Sequence, residues 1–113
     1  MSAFTVYDQA RQLLCPCCGY PGYAPSPAYP EHDKPGLIGL TICPCCLWEP
    51  GFDDNPLATS QASASVHASL LNYRAAWAAT CAWRSKASGR PADFDGTAQL
   101  ERLRQVAPML FEG

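Results

Sequence analysis

Two identical CPCC segments, at residues 15–18 and 43–46, carry six of the seven cysteines in the chain. Each segment contains a C-x2-C pair, and 24 residues separate Cys18 from Cys43. Two such pairs can supply four sulfurs at tetrahedral positions about 2.3 Å from a zinc ion. The spacing therefore predicts one metal site, with the four ligands Cys15, Cys18, Cys43 and Cys46.

The predicted metal is a structural zinc ion, although a tetrahedral cage of four sulfurs also accepts iron. A pair of disulfides, or free thiols, is the alternative use of the same cysteines. Structural zinc in small modules contributes about 10–16 kcal/mol of apparent binding free energy at neutral pH. That contribution exceeds the net stability of many domains, about 5–15 kcal/mol. We therefore expect the cysteine-rich part of the chain to unfold when the metal is removed.

The cysteine-rich part is also rich in residues that favour turns. Nine of the eleven prolines and five of the eight glycines lie between residues 15 and 57. Pro16 and Pro44 preset φ inside the two CPCC segments, and Gly19 follows the first segment where a turn can require positive φ. Because few bulky aliphatic residues occur there, this part of the chain needs a source of stability besides a hydrophobic core.

Charge and hydropathy exclude several classes of function. The 113 residues carry a net charge of -2, and their eight Lys and Arg residues are scattered, whereas nucleic-acid binding requires a basic patch. No apolar run approaches the roughly 18 residues of a membrane span, and residues 1–14 lack the pattern of a signal peptide. Paired C-x2-C motifs indicate metal rather than disulfides in a reducing compartment. We therefore predict a cytoplasmic protein that binds neither nucleic acid nor membrane.

Helices are predicted to follow the cysteine-rich part. Residues 59–84 contain no Gly or Pro and are predicted to form a long helix, capped by Ser60 or Ser63. Its apolar residues have the 3.6-residue spacing of an amphipathic helix. They are Val66, Leu70, Tyr73, Trp77 and Cys81.

A second helix is predicted over residues 97–107, with Asp95 as its cap and Pro108 as its stop. In the lead-in, residues 6–12 are predicted to form one or two helical turns, and Leu13-Leu14 to begin a strand. The predicted fold is small α+β: a single domain over residues 1–113, with a metal-stabilised zinc ribbon over residues 12–57. Its helical tail, residues 58–113, is expected to pack on the ribbon.

The cysteine motifs also resemble a known family. CPCC-Gly-Tyr at residues 15–20, and Ile42 followed by CPCC-x-Trp-Glu, are similar to the cysteine-rich CPCC family of small bacterial zinc-ribbon-like proteins. The resemblance covers residues 14–54 and continues more weakly into residues 72–74. It implies a zinc-ribbon fold with the same four cysteine ligands, and the family has no assigned activity. The chain departs from the family at Cys45, where an aliphatic residue is commoner, and at residues 50–52, which interrupt a run of acids.

The remaining cysteines and histidines have ordinary structural interpretations. Cys17 and Cys45 occupy matching positions and are predicted to lie beside the metal; a second metal or a redox disulfide is the alternative. Cys81 is expected to pack as a small hydrophobic residue. His32 is expected at an exposed loop end, with replacement of a cysteine ligand as its alternative, and His67 beside the helix stripe.

Aromatic and acidic residues add two predictions and one open question. Trp48 is expected to pack over the metal site, against Tyr20 or the long helix. Trp83 lies off the helix stripe and is interpreted either as a second packing layer or as an exposed contact patch. Residues 53–56, Asp-Asp-Asn-Pro, are typical of a turn, with a hard-cation site as the alternative.

Three functions compete on these grounds. The first is a non-catalytic zinc protein that binds another protein, for example as a regulatory partner or as an antitoxin or immunity protein. The second is a rubredoxin-like iron electron carrier, since the two C-x2-C pairs are similar to rubredoxin knuckles. The third, a zinc enzyme, is the weakest, because catalytic zinc needs an open coordination position and four cysteines close the shell. We therefore predict that the protein is not an enzyme.

Overall fold

The computed structural model describes residues 4–21, 29, 36, 42–54 and 65–112. Two short strands come first, β1 (Val6–Tyr7) and β2 (Leu13–Leu14), and two helices follow, α1 (Val66–Ala78) and α2 (Gly96–Val106). Two short 3-10 helices, at Ala87–Gly89 and Pro108–Phe111, flank α2. The described residues therefore belong to the small α+β class.

The lead-in is a hairpin rather than a helical turn. β1 and β2 pair antiparallel, with Val6 opposite Leu14. Between them the carboxylate of Asp8 accepts hydrogen bonds from the backbone N–H groups of Ala10 and Gln12, both at 2.9 Å. The strand predicted at Leu13–Leu14 is confirmed. The helical turns predicted over residues 6–12 are wrong, because Asp8 binds these amides in a turn.

Helix α1 is shorter at its C-terminal end than the sequence predicted. The hydroxyl of Ser65 accepts a hydrogen bond from the backbone N–H of Ala68 at 3.0 Å and caps the start. The predicted caps, Ser60 and Ser63, lie outside the described residues. The helix ends at Ala78 instead of residue 84, because Cys81 adopts a left-handed backbone with φ 52° that ends the helical path. Cys81 therefore does not lie on the helix stripe.

Helix α2 begins and ends within one residue of its predicted bounds. Asp95 is its N-cap, as predicted, and accepts a hydrogen bond from the backbone N–H of Ala98 at 3.1 Å. The first residue of the helix, Gly96, lies against the carbonyl of Cys81, and a Cβ at Gly96 would overlap that oxygen. The start of α2 is thus held against the turn that ends α1.

The hydrophobic core includes the cysteines. All six cysteines of the CPCC segments are fully buried and belong to the same cluster as side chains from β2, α1, α2 and the C-terminal 3-10 helix. The helices therefore pack directly on the cysteine-rich part. Neither helix of the described part of the chain is long and apolar enough to cross a membrane. The largest core side chains include Leu14, Trp48, Leu70, Trp77, Leu103 and Leu110.

Candidate metal centre

The first CPCC segment folds into a tight loop, here called the first knuckle (residues 15–20). The backbone N–H of Gly19 donates to the carbonyl oxygen of Cys15 at 2.8 Å. The N–H of Cys15 in turn donates to the carbonyl of Tyr20 at 3.1 Å. Gly19 has φ 86°, a conformation that glycine adopts without steric cost. The loop presents Cys15 and Cys18 on the same side.

The second CPCC segment repeats this geometry and is called the second knuckle (residues 43–48). Leu47 donates its N–H to the carbonyl of Cys43 at 2.8 Å, and Cys43 donates its own to Trp48 at 3.0 Å. Leu47 stands where the first knuckle has glycine, and its φ is 67°. Leu47 therefore has a left-handed backbone, which is uncommon for a residue other than glycine.

The two knuckles bring together the four cysteines predicted as ligands. The Sγ atoms of Cys15, Cys18, Cys43 and Cys46 all lie within 4.8 Å of one another. Cys15 and Cys46 are 3.7 Å apart at sulfur, and Cys18 and Cys43 are 3.6 Å apart. A tetrahedron of sulfurs around a metal with 2.3 Å bonds has edges of about 3.8 Å. The cluster therefore has the dimensions to hold one metal ion.

The same distances exclude disulfides among these sulfurs in this structure. A disulfide bond is about 2.05 Å long, and all seven cysteines are free thiols. The four clustered side chains have no solvent exposure. Four buried thiols with no other strong partner are suited to a soft metal ion, which binds thiolate sulfur.

Protons and a metal ion compete for these sulfurs. Burial raises the pKa of the Cys15 and Cys43 thiols, and it raises the pKa of Cys18 further. At Cys46 burial also opposes ionisation, but hydrogen bonds from Cys15, Cys17 and Cys18 outweigh it and lower the pKa to about 6. Without metal the cluster is therefore a partly protonated network, in which neighbouring thiols stabilise one thiolate.

Cys17 and Cys45 lie beside this cluster. Both are fully buried, and Cys45 Sγ accepts a hydrogen bond from the Gln99 side chain at 3.5 Å. Neither belongs to the group of four sulfurs, and in the described part of the chain no other group of candidate ligands lies together. The interpretation as small side chains next to the site therefore agrees with the geometry better than a second metal.

Helix side chains bind the backbone of the first knuckle. The guanidinium of Arg74, from α1, donates to the carbonyls of Pro16 at 2.6 Å and Cys17 at 2.8 Å. Gln99, from α2, donates to the carbonyl of Cys18 at 3.0 Å. The inward sulfurs are therefore positioned by two helices that bind the outward carbonyls.

The second knuckle is held in a similar way. The hydroxyl of Tyr73 donates to the carbonyl of Cys46 at 2.7 Å. The backbone N–H of Arg84 donates to the carbonyl of Cys45 at 2.8 Å. These roles of Arg74, Gln99 and Tyr73 were not predicted from the sequence. The expectation that the helical tail packs on the ribbon is in agreement with these contacts, but it named none of the three side chains.

The tryptophans support the site from two sides. Trp48 is fully buried and meets the Tyr73 ring edge-on, with centroids 5.0 Å apart, so the predicted packing against the long helix is confirmed. Tyr20 packs instead on Trp83, with centroids 5.4 Å apart. Trp83 also contacts Phe94 and is half-buried. Of the two interpretations of Trp83, the structure supports the second packing layer.

The remaining candidates have ordinary roles or lie outside the described residues. Asp54 is fully buried and accepts hydrogen bonds from the Tyr29 hydroxyl at 2.6 Å and from the N–H of Gly51 at 2.9 Å. Its oxygens are engaged by donors, as in the turn interpretation. His67 lies against Phe4 and the carbonyl of residue 112. His32, Asn55 and Pro56 are outside the described residues.

The chain matches no family model, and it has no significant match to a curated protein or to a solved structure. Membership of the CPCC family therefore remains a prediction from the motifs of the two knuckles.

Proposed function

We propose that this chain is a small, non-catalytic protein in which one structural zinc ion, held by Cys15, Cys18, Cys43 and Cys46, supports a surface that binds another protein. The observation that carries the proposal is the closed, fully buried cluster of four sulfurs, with edges of 3.6 and 3.7 Å. Four thiolates complete a tetrahedral shell and leave no coordination position for a substrate or an activated water.

Zinc is the proposed metal because a closed site of four cysteine sulfurs is a typical arrangement of structural zinc. Iron in the same cage is the second candidate and would make the protein a rubredoxin-like electron carrier. The full burial of all four sulfurs favours zinc, since an electron carrier benefits from a metal close to the surface. In this proposal the two knuckles and their metal form a zinc-ribbon-like module.

A protein partner is proposed because apolar side chains are exposed around the second knuckle. Ile42, Leu47 and Phe52 have exposed fractions of 52%, 41% and 39%. They flank or belong to the knuckle that the helices cover less completely, since Gly19 lies under α2 and Leu47 faces solvent. Contiguous exposed apolar patches mark interaction sites, whereas single scattered residues do not, and in this proposal the three side chains form one such patch. A regulatory, antitoxin-type or immunity-type partner is one form of this function.

Elemental analysis combined with native mass spectrometry tests the metal. We expect one zinc ion per chain and a colourless protein. A red protein with one iron per chain would instead support the electron carrier, and a folded protein without a transition metal would contradict both functions.

A pull-down from the native cell extract tests the surface. A triple variant, Ile42→Ser, Leu47→Asn and Phe52→Ser, is expected to keep its zinc and lose its partner; Asn at position 47 tolerates the left-handed backbone. The matched control changes Val106 and Met109, which are 37% and 51% exposed, to Ser. Equal capture by the triple variant and the control would contradict the role of the second knuckle.

A further inference from the structure

Arg74 is a buried cation without a carboxylate partner in the described structure. Its exposed fraction is 5%. The guanidinium donates to three carbonyl oxygens: those of Pro16 at 2.6 Å, Cys17 at 2.8 Å and Leu110 at 2.5 Å. Among the described residues the side-chain ion pair is Arg104 with Glu101, and no carboxylate lies within ion-pair distance of Arg74.

Carbonyl oxygens satisfy the N–H donors of Arg74, but they carry no net charge. Burying a charge costs several kcal/mol unless an opposite charge compensates it. Arginine does not escape this cost by losing its proton, although burial does lower its pKa. Among the described residues three carbonyls and the Phe111 ring contact the guanidinium, and a nearby negative charge would stabilise it further.

The metal centre supplies that charge. Four thiolates around a divalent ion carry a net charge of about -2. Arg74 contacts the backbone between two of the ligands, Cys15 and Cys18, through the carbonyls of Pro16 and Cys17.

The C-terminal 3-10 helix, Pro108–Phe111, closes over the guanidinium. The guanidinium carbon of Arg74 lies 3.9 Å from the centroid of the Phe111 ring, and the guanidinium carbon of Arg104 lies 4.6 Å from the same centroid. Leu110, whose carbonyl accepts from Arg74, is itself buried. This cover keeps water away from Arg74, and electrostatic interactions are stronger where water is excluded.

We propose that Arg74 is the buried counter-charge of the metal–thiolate centre. Its positive charge stabilises a metal–thiolate complex with charge -2 relative to one with charge -1. The proposal deepens the proposed function and depends on metal binding by the four cysteines. Its consequence is a preference for divalent over trivalent metal in this cage, in addition to the positioning of the first knuckle.

Iron-loaded protein gives a readout that a purely structural role would not change. Iron(III) with four thiolates carries a charge of -1 and iron(II) carries -2, so a buried cation favours the reduced form. At the midpoint potential of the wild-type protein, we expect Arg74→Gln to lower the ratio of reduced to oxidised iron by about tenfold or more, the effect of roughly 1.4 kcal/mol. Arg74→Lys, which keeps the charge, is expected to have a ratio of reduced to oxidised iron close to that of the wild-type protein. Spectroelectrochemical titration measures this ratio.

Arg104→Gln is the matched control, because Arg104 also contacts the ring of Phe111 but is exposed. We expect its ratio to stay within about twofold of wild type, since solvent screens an exposed charge. A folded Arg74→Gln variant with the wild-type ratio would overturn the proposal. An equal decrease of this ratio in Arg74→Lys and Arg74→Gln would also overturn the proposal. The hydrogen bonds that position the first knuckle, rather than the charge, would then explain the decrease.

A third variant keeps the proposal testable if Arg74→Gln does not fold. Phe111→Ala leaves Arg74 charged but admits water to it, so the ratio is expected to fall in the same direction and by a smaller factor. An unchanged ratio in folded Phe111→Ala would then overturn the proposal. Failure of the wild-type protein to bind any metal would instead overturn the proposed function, so the two failures are distinguishable.

Discussion

Gly19 and Leu47 occupy the same corner of the two knuckles, and both have a left-handed backbone, with φ of 86° and 67°. The surroundings of the two residues differ. α2 crosses the corner of Gly19, whereas the side chain of Leu47 is 41% exposed. The two knuckles are therefore equivalent in backbone and different in cover: α2 packs on the corner of the first, and the corner of the second is exposed.

Gly19→Ala is expected to destabilise the protein strongly. A Cβ at this position would lie 2.9 Å from the carbonyl oxygen of Gln99 and 3.0 Å from Cβ of Leu103. Left-handed strain and overpacking each cost about 1–3 kcal/mol. Thermal unfolding of the zinc-loaded protein should show a Tm lower by about 5 °C or more.

Leu47→Gly is the counterpart of that change and is expected to leave Tm equal or higher. Relief of the left-handed backbone returns about 1–2 kcal/mol, which offsets the greater chain entropy of glycine, about 0.5–1 kcal/mol. A Gly19→Ala protein as stable as Leu47→Gly would show that α2 does not cross the first knuckle as described.

Metal removal is expected to unfold the knuckles. Structural zinc contributes about 10–16 kcal/mol, and residues 15–57 hold most of the turn-forming prolines and glycines. Serine at Cys15 or Cys43 should give the same loss, measured as bound zinc and near-ultraviolet circular dichroism. Cys17→Ser and Cys81→Ser are the controls and should keep one zinc ion per chain, since neither sulfur belongs to the cluster. Loss of zinc from Cys17→Ser would show that the ligand set is wrong.

Acid is expected to release the metal steeply. Without metal the thiols of Cys15, Cys18 and Cys43 retain their protons at neutral pH, because the pKa of an exposed cysteine is about 8.5 and burial in the folded cluster raises it further. A metal ion must displace them, so its apparent affinity falls as pH falls and rises as pH rises. Competition with a chromogenic chelator between pH 8 and pH 5 should show more than two protons taken up per ion released. A value near one would mean that fewer than four thiolates bind the ion.

Tyr73→Phe is expected to destabilise the protein by about 1 kcal/mol, the typical net contribution of a hydrogen bond. The change removes the 2.7 Å bond to the carbonyl of Cys46 and keeps the ring that packs on Trp48. Urea unfolding of the zinc-loaded protein measures the difference. Tyr7→Phe, on the exposed side of β1, is the control and should have no effect. Equal midpoints for both variants would mean that the hydroxyl of Tyr73 does not support the second knuckle.

Local rules were sufficient for the parts of the structure that depend on neighbouring residues. The C-x2-C spacing identified the four sulfurs that lie together, and Asp95 caps α2 because capping requires a side chain within three residues of the amide it binds. The end of α1 was missed because Cys81 has no local feature that marks it for a left-handed backbone. Gly96, which packs on its carbonyl, lies fifteen positions further along the chain.

The cover of the metal centre could not be predicted from one sequence. Arg74 binds the carbonyl of a residue 57 positions earlier, and Gln99 binds one 81 positions earlier. Helical periodicity places neither side chain, because it separates apolar from polar positions and both residues are polar. Their burial follows from the unsatisfied carbonyls of the first knuckle, which are visible only once the chain has folded.

The order of these segments along the chain also has a consequence for biosynthesis. Both pairs of cysteines precede Arg74, Gln99 and the 3-10 helix Pro108–Phe111, which together cover the first knuckle. During translation the cysteines are therefore synthesised before the residues that cover the first knuckle. An ion that binds during translation would bind to uncovered knuckles, and the C-terminal residues would pack over them afterwards. We therefore expect an ion bound during synthesis to exchange slowly once these residues have folded over the first knuckle.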